Sequence, residues 1–182
     1  MIFKGTATAL ITPFTEDDKV DVQAIRNIVD MQIANGINAL VALGTTGEPA
    51  TLSEEEKEQI VRVCVEQTSG KIPLIVGAGS NSTRKAVETC RMAQKLGADA
   101  LLVVTPYYNK CTQEGLVEHY GAIAEATSLP IICYNVASRT GVNILPETFA
   151  RIATEHKNVV AIKEASGNME QIEQCLRLCP DM

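Results

Sequence analysis

The stretch at residues 39–48 reads ALVALGTTGE, an apolar run that gives way to small and polar residues. A run that is apolar on both alternating faces is typical of a buried parallel strand, which other elements cover on both sides. The polar residues that follow predict a loop at the carboxyl end of that strand. Similar apolar runs recur along the chain, at residues 6–10, 74–77, 100–104, 131–134 and 159–163.

The segments between these runs have the spacing of amphipathic helices. Residues 53–56 carry the hydroxyl and the carboxylate of a capping box, which predicts a helix start. The strand starts recur about every 30 residues, which is the size of one βα unit. No linker or shift in composition divides the chain, and this predicts a single domain over residues 1–182.

Six βα units fit either a doubly wound open sheet or part of a (β/α)8 TIM barrel. Polar residues follow several of the predicted strands, at residues 44–48, 105–109, 134–135 and 163–164. Residues that converge from several strand ends are typical of a barrel active site, whereas an open sheet binds ligands at one switch point. The sequence therefore favours an α/β fold that comprises about the first six units of a TIM barrel.

The composition narrows the classes of partner. A net charge of −6 argues against nucleic acid, and no apolar run reaches the roughly 18 residues of a membrane span. The six cysteines form no Cys-x-x-Cys pair, which is typical of a reduced, cytoplasmic protein. His119 and His156 lie far apart without nearby acidic or thiol ligands, so we expect no metal site and no other cofactor.

Lys163 is the strongest single candidate for a catalytic residue. It ends the apolar run at residues 159–163, so its side chain starts from a strand-borne, apolar position. Burial there would lower the pKa of the amine, which a nucleophile for a carbonyl requires. The alternative is a strand-end lysine that extends its ammonium to water, and taken alone this alternative is the more common one.

Other polar residues at strand ends have both a chemical and an ordinary interpretation. Tyr134 is placed to transfer protons, or it is a half-buried packing residue with a solvated hydroxyl. Thr45 and Thr46 precede Gly47 in a segment that can bind a small carboxylate or form an ordinary turn. Arg139 can pair with a carboxylate through its planar fork, or it is a solvated surface arginine.

Four motifs taken together resemble those of the dihydrodipicolinate synthases. They are GTTGE at residues 44–48, PYYN at 106–109, YNVASRTG at 134–141 and IKEA at 162–165. The resemblance runs from Gly5 to the C-terminus, in the order and spacing of that family. It implies a TIM barrel whose site lies at the strand ends.

The resemblance also implies the role of each candidate residue. Lys163 would form a covalent imine with pyruvate, and the proton relay would comprise Thr45, Tyr134 and Tyr108. Tyr108 would reach into the site of a neighbouring subunit. The pyruvate carboxylate would lie at Thr46 and Gly47, and Arg139 would receive the carboxylate of aspartate semialdehyde.

The activity implied is the condensation of pyruvate with L-aspartate 4-semialdehyde to 4-hydroxy-tetrahydrodipicolinate, in lysine and diaminopimelate biosynthesis. The family implies a homo-oligomer, a dimer or a tetramer, without metal. The same superfamily contains N-acetylneuraminate lyase and sugar-acid aldolases, which remain an alternative. The pair Thr45-Thr46, Tyr108 and the segment at residues 138–141 favour the synthase.

The sequence departs from the family in three respects. Ala137 replaces a proline that is usual there. In the family's pocket for inhibitory lysine, Asn81 and Tyr107 match but residues 49, 54, 57 and 85 do not, which predicts weak or absent inhibition by lysine. A complete barrel has about 250 residues, and this chain has 182. A third hypothesis is therefore a truncated fragment without activity.

Overall fold

A computed structural model describes residues 2–180 and residue 182. Within that part of the chain, strands alternate with helices. The strands are β1 (Ala7–Ala9), β2 (Ala39–Ala42), β3 (Leu74–Gly77), β4 (Ala100–Val104), β5 (Ile131–Asn135) and β6 (Val159–Glu164). The helices are α1 (Val22–Ala34), α2 (Glu54–Thr68), α3 (Thr83–Leu96), α4 (Gln113–Glu125), α5 (Ala137–Thr140), α6 (Pro146–Glu155) and α7 (Met169–Leu178). Two short 3-10 turns, Thr45–Gly47 and Pro49–Thr51, follow β2.

The strands follow sequence order in one six-stranded sheet, β1-β2-β3-β4-β5-β6. The pairs β1–β2, β2–β3 and β5–β6 are parallel. A doubly wound sheet reverses its strand order at a switch point, whereas the strands of a barrel follow one another without reversal. The observed order therefore confirms the predicted class, an α/β fold with the first six units of a TIM barrel.

The described chain forms two compact units. The amino-terminal unit comprises Ile2–Gly77 and Met92–Leu101, and the carboxy-terminal unit comprises Ala78–Arg91 and Leu102–Met182. The single domain expected over residues 1–182 stays a prediction.

The amino-terminal unit contains β1 to β3 with α1 and α2. Leu40 of β2 is aligned with Leu74 of β3, and both side chains are fully buried. The predicted capping box is confirmed at the start of α2. There Glu56 donates its N–H to the Ser53 hydroxyl at 3.2 Å, and Ser53 donates its own N–H to the Glu56 carboxylate at 2.8 Å. These bonds satisfy amide groups that the first turn of a helix leaves free.

The carboxy-terminal unit contains β5 and β6 with α4, α6 and α7. Its largest fully buried side chains include Tyr120, Phe149 and Ile131. The Tyr120 hydroxyl donates a hydrogen bond of 2.8 Å to the Val103 carbonyl, which satisfies this phenol inside the core. Burial also raises the pKa of Tyr120 far above its usual value, so the phenol stays neutral.

The end strands differ from the sequence prediction. All six runs were expected to be covered on both faces, and β2, β3 and β4 are indeed mostly buried. In contrast, β1 and most of β6 are only partly buried. The cause is their place in the sheet, because each end strand has a single neighbouring strand in the described structure. Their apolar composition alone carries no information about this position.

Candidate active site

Tyr134 and Lys163 lie side by side at the carboxyl ends of β5 and β6. They are aligned with each other in the parallel pairing, so both side chains project to the same face of the sheet. The Lys163 Nζ atom lies 4.3 Å from the centroid of the Tyr134 ring. At this distance the negative face of the ring attracts a cation. The structure therefore brings together the predicted nucleophile and one member of the predicted proton relay.

The side chain of Lys163 is exposed, whereas that of Tyr134 is buried. Of the two interpretations that the sequence left open for Lys163, this exposure agrees with the one in which the strand-end lysine extends its ammonium to water. Lys163 belongs to an end strand, and only β5 flanks it within the described chain. The apolar run that precedes Lys163 is itself only partly buried, and it does not enclose the amine.

Tyr108 lies in the loop that follows β4, and it is the most exposed aromatic residue of the described chain, at 92%. Its φ of 70° is a left-handed conformation that residues other than glycine rarely adopt. The loop is fixed by a weak hydrogen bond of 3.4 Å from the Tyr108 N–H to the Thr140 carbonyl. The ring therefore projects away from the protein into solvent, at some conformational cost.

Arg139 lies on the short helix α5 and is exposed. The helix ends at Gly141, whose φ of 73° provides the left-handed end. The Thr140 hydroxyl donates a hydrogen bond of 3.0 Å to the Val142 carbonyl and so fixes the chain after the arginine. Ala137 is the first residue of α5, a position that suits proline as well as alanine. The departure from the family therefore lies at a position where the start of a helix accepts either residue.

Thr45, Thr46 and Gly47 form a 3-10 turn in the amino-terminal unit. The two threonines are exposed, whereas Gly47 is buried. The Thr12 hydroxyl, from the loop after β1, donates a hydrogen bond of 2.7 Å to the Gly47 carbonyl. Left-handed residues flank the turn, since φ is 55° at Leu43 and 53° at Glu48. This turn thus presents two hydroxyls from a backbone that is held on both sides.

A polar cluster beside the site was not predicted from the sequence. It is formed by Asn135, Asn143, Glu164 and Gln171, and we call it the amide–carboxylate cluster. Burial raises the pKa of the Glu164 carboxyl, but hydrogen bonds from Asn135, Ser166 and Gln171 outweigh this effect and lower it below its usual range. Asn135 and Glu164 occur in the quoted motifs, yet no sequence signal pointed to Asn143 or Gln171.

Among the described residues, no group of three or more His, Cys, Asp or Glu side chains is arranged to hold a metal ion. None of the described helices has the length and apolar character needed to cross a membrane. Burial raises the pKa of the Cys64 and Cys90 thiols to about 12, so both remain protonated and unreactive at neutral pH.

The fold and the site define a class of protein: a barrel-type α/β chain with an amine and a phenol at adjacent strand ends. A family model described as the dihydrodipicolinate synthetase family matches residues 2–182. The chain belongs to this family.

The relatives and solved structures agree with this assignment. The 4-hydroxy-tetrahydrodipicolinate synthase of Geotalea daltonii is 54% identical over 180 residues, which cover 99% of this chain and 61% of the relative. The crystal structure of dihydrodipicolinate synthase from Thermotoga maritima is 52% identical with a TM-score of 0.95, and the match covers 98% of this chain and 60% of that one. The chloride inhibited dihydrodipicolinate synthase from Acinetobacter baumannii, complexed with pyruvate, is 46% identical with a TM-score of 0.94, covering 97% and 60%. The chain thus spans about three fifths of the length of these proteins.

Proposed function

We propose that this chain carries the imine-forming part of a 4-hydroxy-tetrahydrodipicolinate synthase. The observation that carries the proposal is the contact of 4.3 Å between the Lys163 Nζ atom and the Tyr134 ring. Similarity to a structure complexed with pyruvate supports the choice of first substrate. The second substrate, L-aspartate 4-semialdehyde, follows from the resemblance of the motifs to those of the synthases.

The proposed reaction begins when the unprotonated Lys163 amine attacks the carbonyl carbon of pyruvate. Water leaves and an imine forms, and loss of a proton from the pyruvate methyl group gives an enamine. The enamine carbon attacks the aldehyde of the second substrate, and the aldehyde oxygen takes up a proton. The amino group of that substrate then attacks the imine carbon, closes the ring and releases Lys163.

The Tyr134 ring has two effects in this scheme. The ring face that attracts the ammonium of Lys163 also stabilises the protonated imine, because both are cations. The phenol hydroxyl is a proton carrier for the steps that follow, together with Thr45 and Tyr108 in the proposed relay. Tyrosine can serve both purposes because it carries a hydroxyl on a ring that packs in the interior, whereas phenylalanine has the ring alone.

The remaining candidates would bind the substrate carboxylates. Thr46 and Gly47 would hold the carboxylate of pyruvate, and Arg139 would pair with the carboxylate of aspartate semialdehyde. The projecting ring of Tyr108, 92% exposed, supports a homo-oligomer in which this side chain enters the site of another subunit. We further propose that the enzyme acts in the cytoplasm and requires no cofactor, and that activity therefore survives treatment with a chelator.

The experiment that tests this function is reduction of the chain with borohydride in the presence of pyruvate. Intact mass and peptide mapping would locate the adduct, and we expect it on Lys163. The Lys163→Ala variant should form none. The matched control is Lys157→Ala, which removes another exposed lysine just before β6 and should leave the adduct in place.

Two further arms separate the competing hypotheses. If the chain, in the absence of borohydride, condenses pyruvate with N-acetylmannosamine or a sugar-acid aldehyde rather than with aspartate semialdehyde, it is a related pyruvate aldolase. A folded sample that forms no adduct would support the third hypothesis, a fragment without activity. The exposure of Lys163 favours this third outcome, because an exposed amine lacks the burial that would activate it.

A further inference from the structure

The pairing of β5 with β6 contains an irregularity upstream of the candidate site. Ile131 is aligned with Val159, but the next residue, Ile132, is aligned with Ala161. The pairing therefore passes over Val160, and a bulge lies between the first and second pairs. This shift determines which residues meet at the strand ends.

The bulge is what places Lys163 beside Tyr134. If the Ile131–Val159 offset continued along both strands, Tyr134 would be opposite Ile162, and Lys163 would be opposite Asn135. A slip of one residue also moves each side chain of the slipped strand to the other face of the sheet. The Lys163 amine would then project away from the face that carries the Tyr134 ring. The observed contact exists only in the shifted register.

The residues next to the reactive pair project to the opposite face and bind each other. The Asn135 Nδ2 group donates to the Glu164 Oε2 atom at 2.8 Å, so a side-chain bond joins the two strands directly after Tyr134 and Lys163. The same Nδ2 group donates its second hydrogen to the Asn143 Oδ1 atom, also at 2.8 Å. Asn135 is fully buried, and its Oδ1 atom accepts from the Ile144 N–H at 3.0 Å.

Helix α7 and the chain after β6 hold the carboxylate from its other sides. The Gln171 Nε2 group donates to the Glu164 Oε2 atom at 2.8 Å and to the Asn143 Oδ1 atom at 3.1 Å. The Ser166 N–H donates to the Glu164 Oε1 atom at 2.7 Å. Both carboxylate oxygens therefore accept from N–H donors, which is the arrangement that favours the ionised form of a carboxylate.

We propose that the amide–carboxylate cluster fixes the shifted register of β5 and β6, and that Glu164 is thereby the positioning residue for the Lys163 amine. In the alternative register Glu164 would lie on the other face of the sheet, without the Asn135 and Gln171 donors. Each of those amide groups would lose its carboxylate acceptor and keep only the Asn143 Oδ1 atom, and the loss of an acceptor by a buried donor is costly. The inference deepens the proposed function and rests on it for its catalytic meaning, but the positioning itself is measurable without substrate.

The test compares three variants with the wild-type chain. Glu164→Gln keeps the shape of the side chain but replaces one acceptor oxygen by a donor, which must face either the Ser166 N–H or the Asn135 and Gln171 amides. Gln171→Met removes the donor from α7 and leaves the bond between the strands. Glu173→Gln is the matched control, because it removes an exposed carboxylate from the same helix.

The first readout is the NMR shift of the Lys163 ε-methylene protons without pyruvate. Protons over the face of a tyrosine ring resonate upfield, so the signal reports the contact in folded molecules and does not report stability. We expect the upfield shift in the wild type and in Glu173→Gln, its loss in Glu164→Gln and a partial loss in Gln171→Met. The second readout is the rate of borohydride trapping with pyruvate, which should fall on the order of 100-fold in Glu164→Gln.

The outcomes distinguish the two proposals. A folded Glu164→Gln variant with a lower melting temperature but the full upfield shift would overturn the positioning role and leave a structural one. If that variant does not fold, Gln171→Met decides, and an unchanged shift in it would refute the inference. If the wild type forms no adduct with pyruvate, the proposed function fails, while the shifts of the variants still decide whether the cluster positions the amine.

Discussion

Acid should destabilise this chain through His119, well above the pH at which carboxylates titrate. His119 is buried, and burial lowers its pKa from 6.5 to about 4. The Thr83 hydroxyl lies 2.9 Å from its Nδ1 atom, but the buried Nε2 atom has no hydrogen-bond partner among the described residues. Protonation would therefore place a charge and an unpaired N–H donor in the core.

The magnitude follows from the difference between the two pKa values. The unfolded chain takes up a proton at His119 at a higher pH than the folded chain does, so lowering the pH favours unfolding. One pKa unit corresponds to about 1.4 kcal/mol, and the total effect is therefore about 3 kcal/mol. The stabilisation is complete above pH 6.5 and is lost as the pH falls towards 4. About 2 kcal/mol of it disappears between pH 7 and pH 5.

Urea unfolding of the wild type and of His119→Asn at several pH values measures this effect. The asparagine amide can keep the contact with Thr83 and does not titrate, so the variant should be less stable at pH 7 but should lose little more at pH 5. For a chain of this size, the wild type should lose about 4–8 °C in melting temperature over that interval. His156→Asn, which replaces the other histidine, should retain the pH dependence of the wild type. Equal pH dependence in the wild type and in His119→Asn would refute the reasoning.

Three other predictions concern the stability of the fold, the candidate site and its regulation. Gly77→Ala should lower the free energy of unfolding, measured in urea, by roughly 2 kcal/mol, because the new Cβ atom would lie 2.0 Å from the Leu43 carbonyl oxygen. Gly44→Ala is the control and should lower it less, because the nearest atom to its new Cβ lies at 3.3 Å. The lowered pKa of Glu164 stabilises the fold above the usual pKa of a glutamate, so the upfield Lys163 signal should persist at neutral pH and disappear as the pH falls through the folded-state pKa, which an NMR titration would follow. Calorimetric titration with lysine should show weak or no binding. Tight binding would contradict the prediction that the substitutions at residues 49, 54, 57 and 85 weaken the lysine pocket.

The sequence was sufficient for features that depend on local chemistry. The alternation of apolar runs with helical spacing located all six strands within a residue or two, and the capping box at Ser53 was confirmed at the start of α2. Each of these predictions needed only a few neighbouring residues, because propensity and capping act over one or two turns.

Features that depend on pairing between distant strands were not predictable in this way. The bulge between Ile131 and Ile132 depends on how β5 aligns with β6, and no residue in either strand predicts it. The exposure of Lys163 depends on which strand flanks β6, a property that an apolar run does not encode. The same limit applies to Gln171, whose helical position gave no sign that it would bind a strand-end carboxylate.

The residues that hold the candidate site in place by hydrogen bonds nevertheless share a spacing that can be recognised in a sequence. In the amino-terminal unit, Thr12 follows β1 and holds the carbonyl of Gly47, which lies 35 residues further on, after β2. In the carboxy-terminal unit, Asn135 at the end of β5 holds Glu164, which lies 29 residues further on, at the end of β6. Parallel strands in sequence order bring successive strand ends together, so the support of one end comes from about one βα unit earlier. Polar residues at strand ends that lie about 30 residues apart are therefore candidates for positioning pairs, even when neither contacts a substrate.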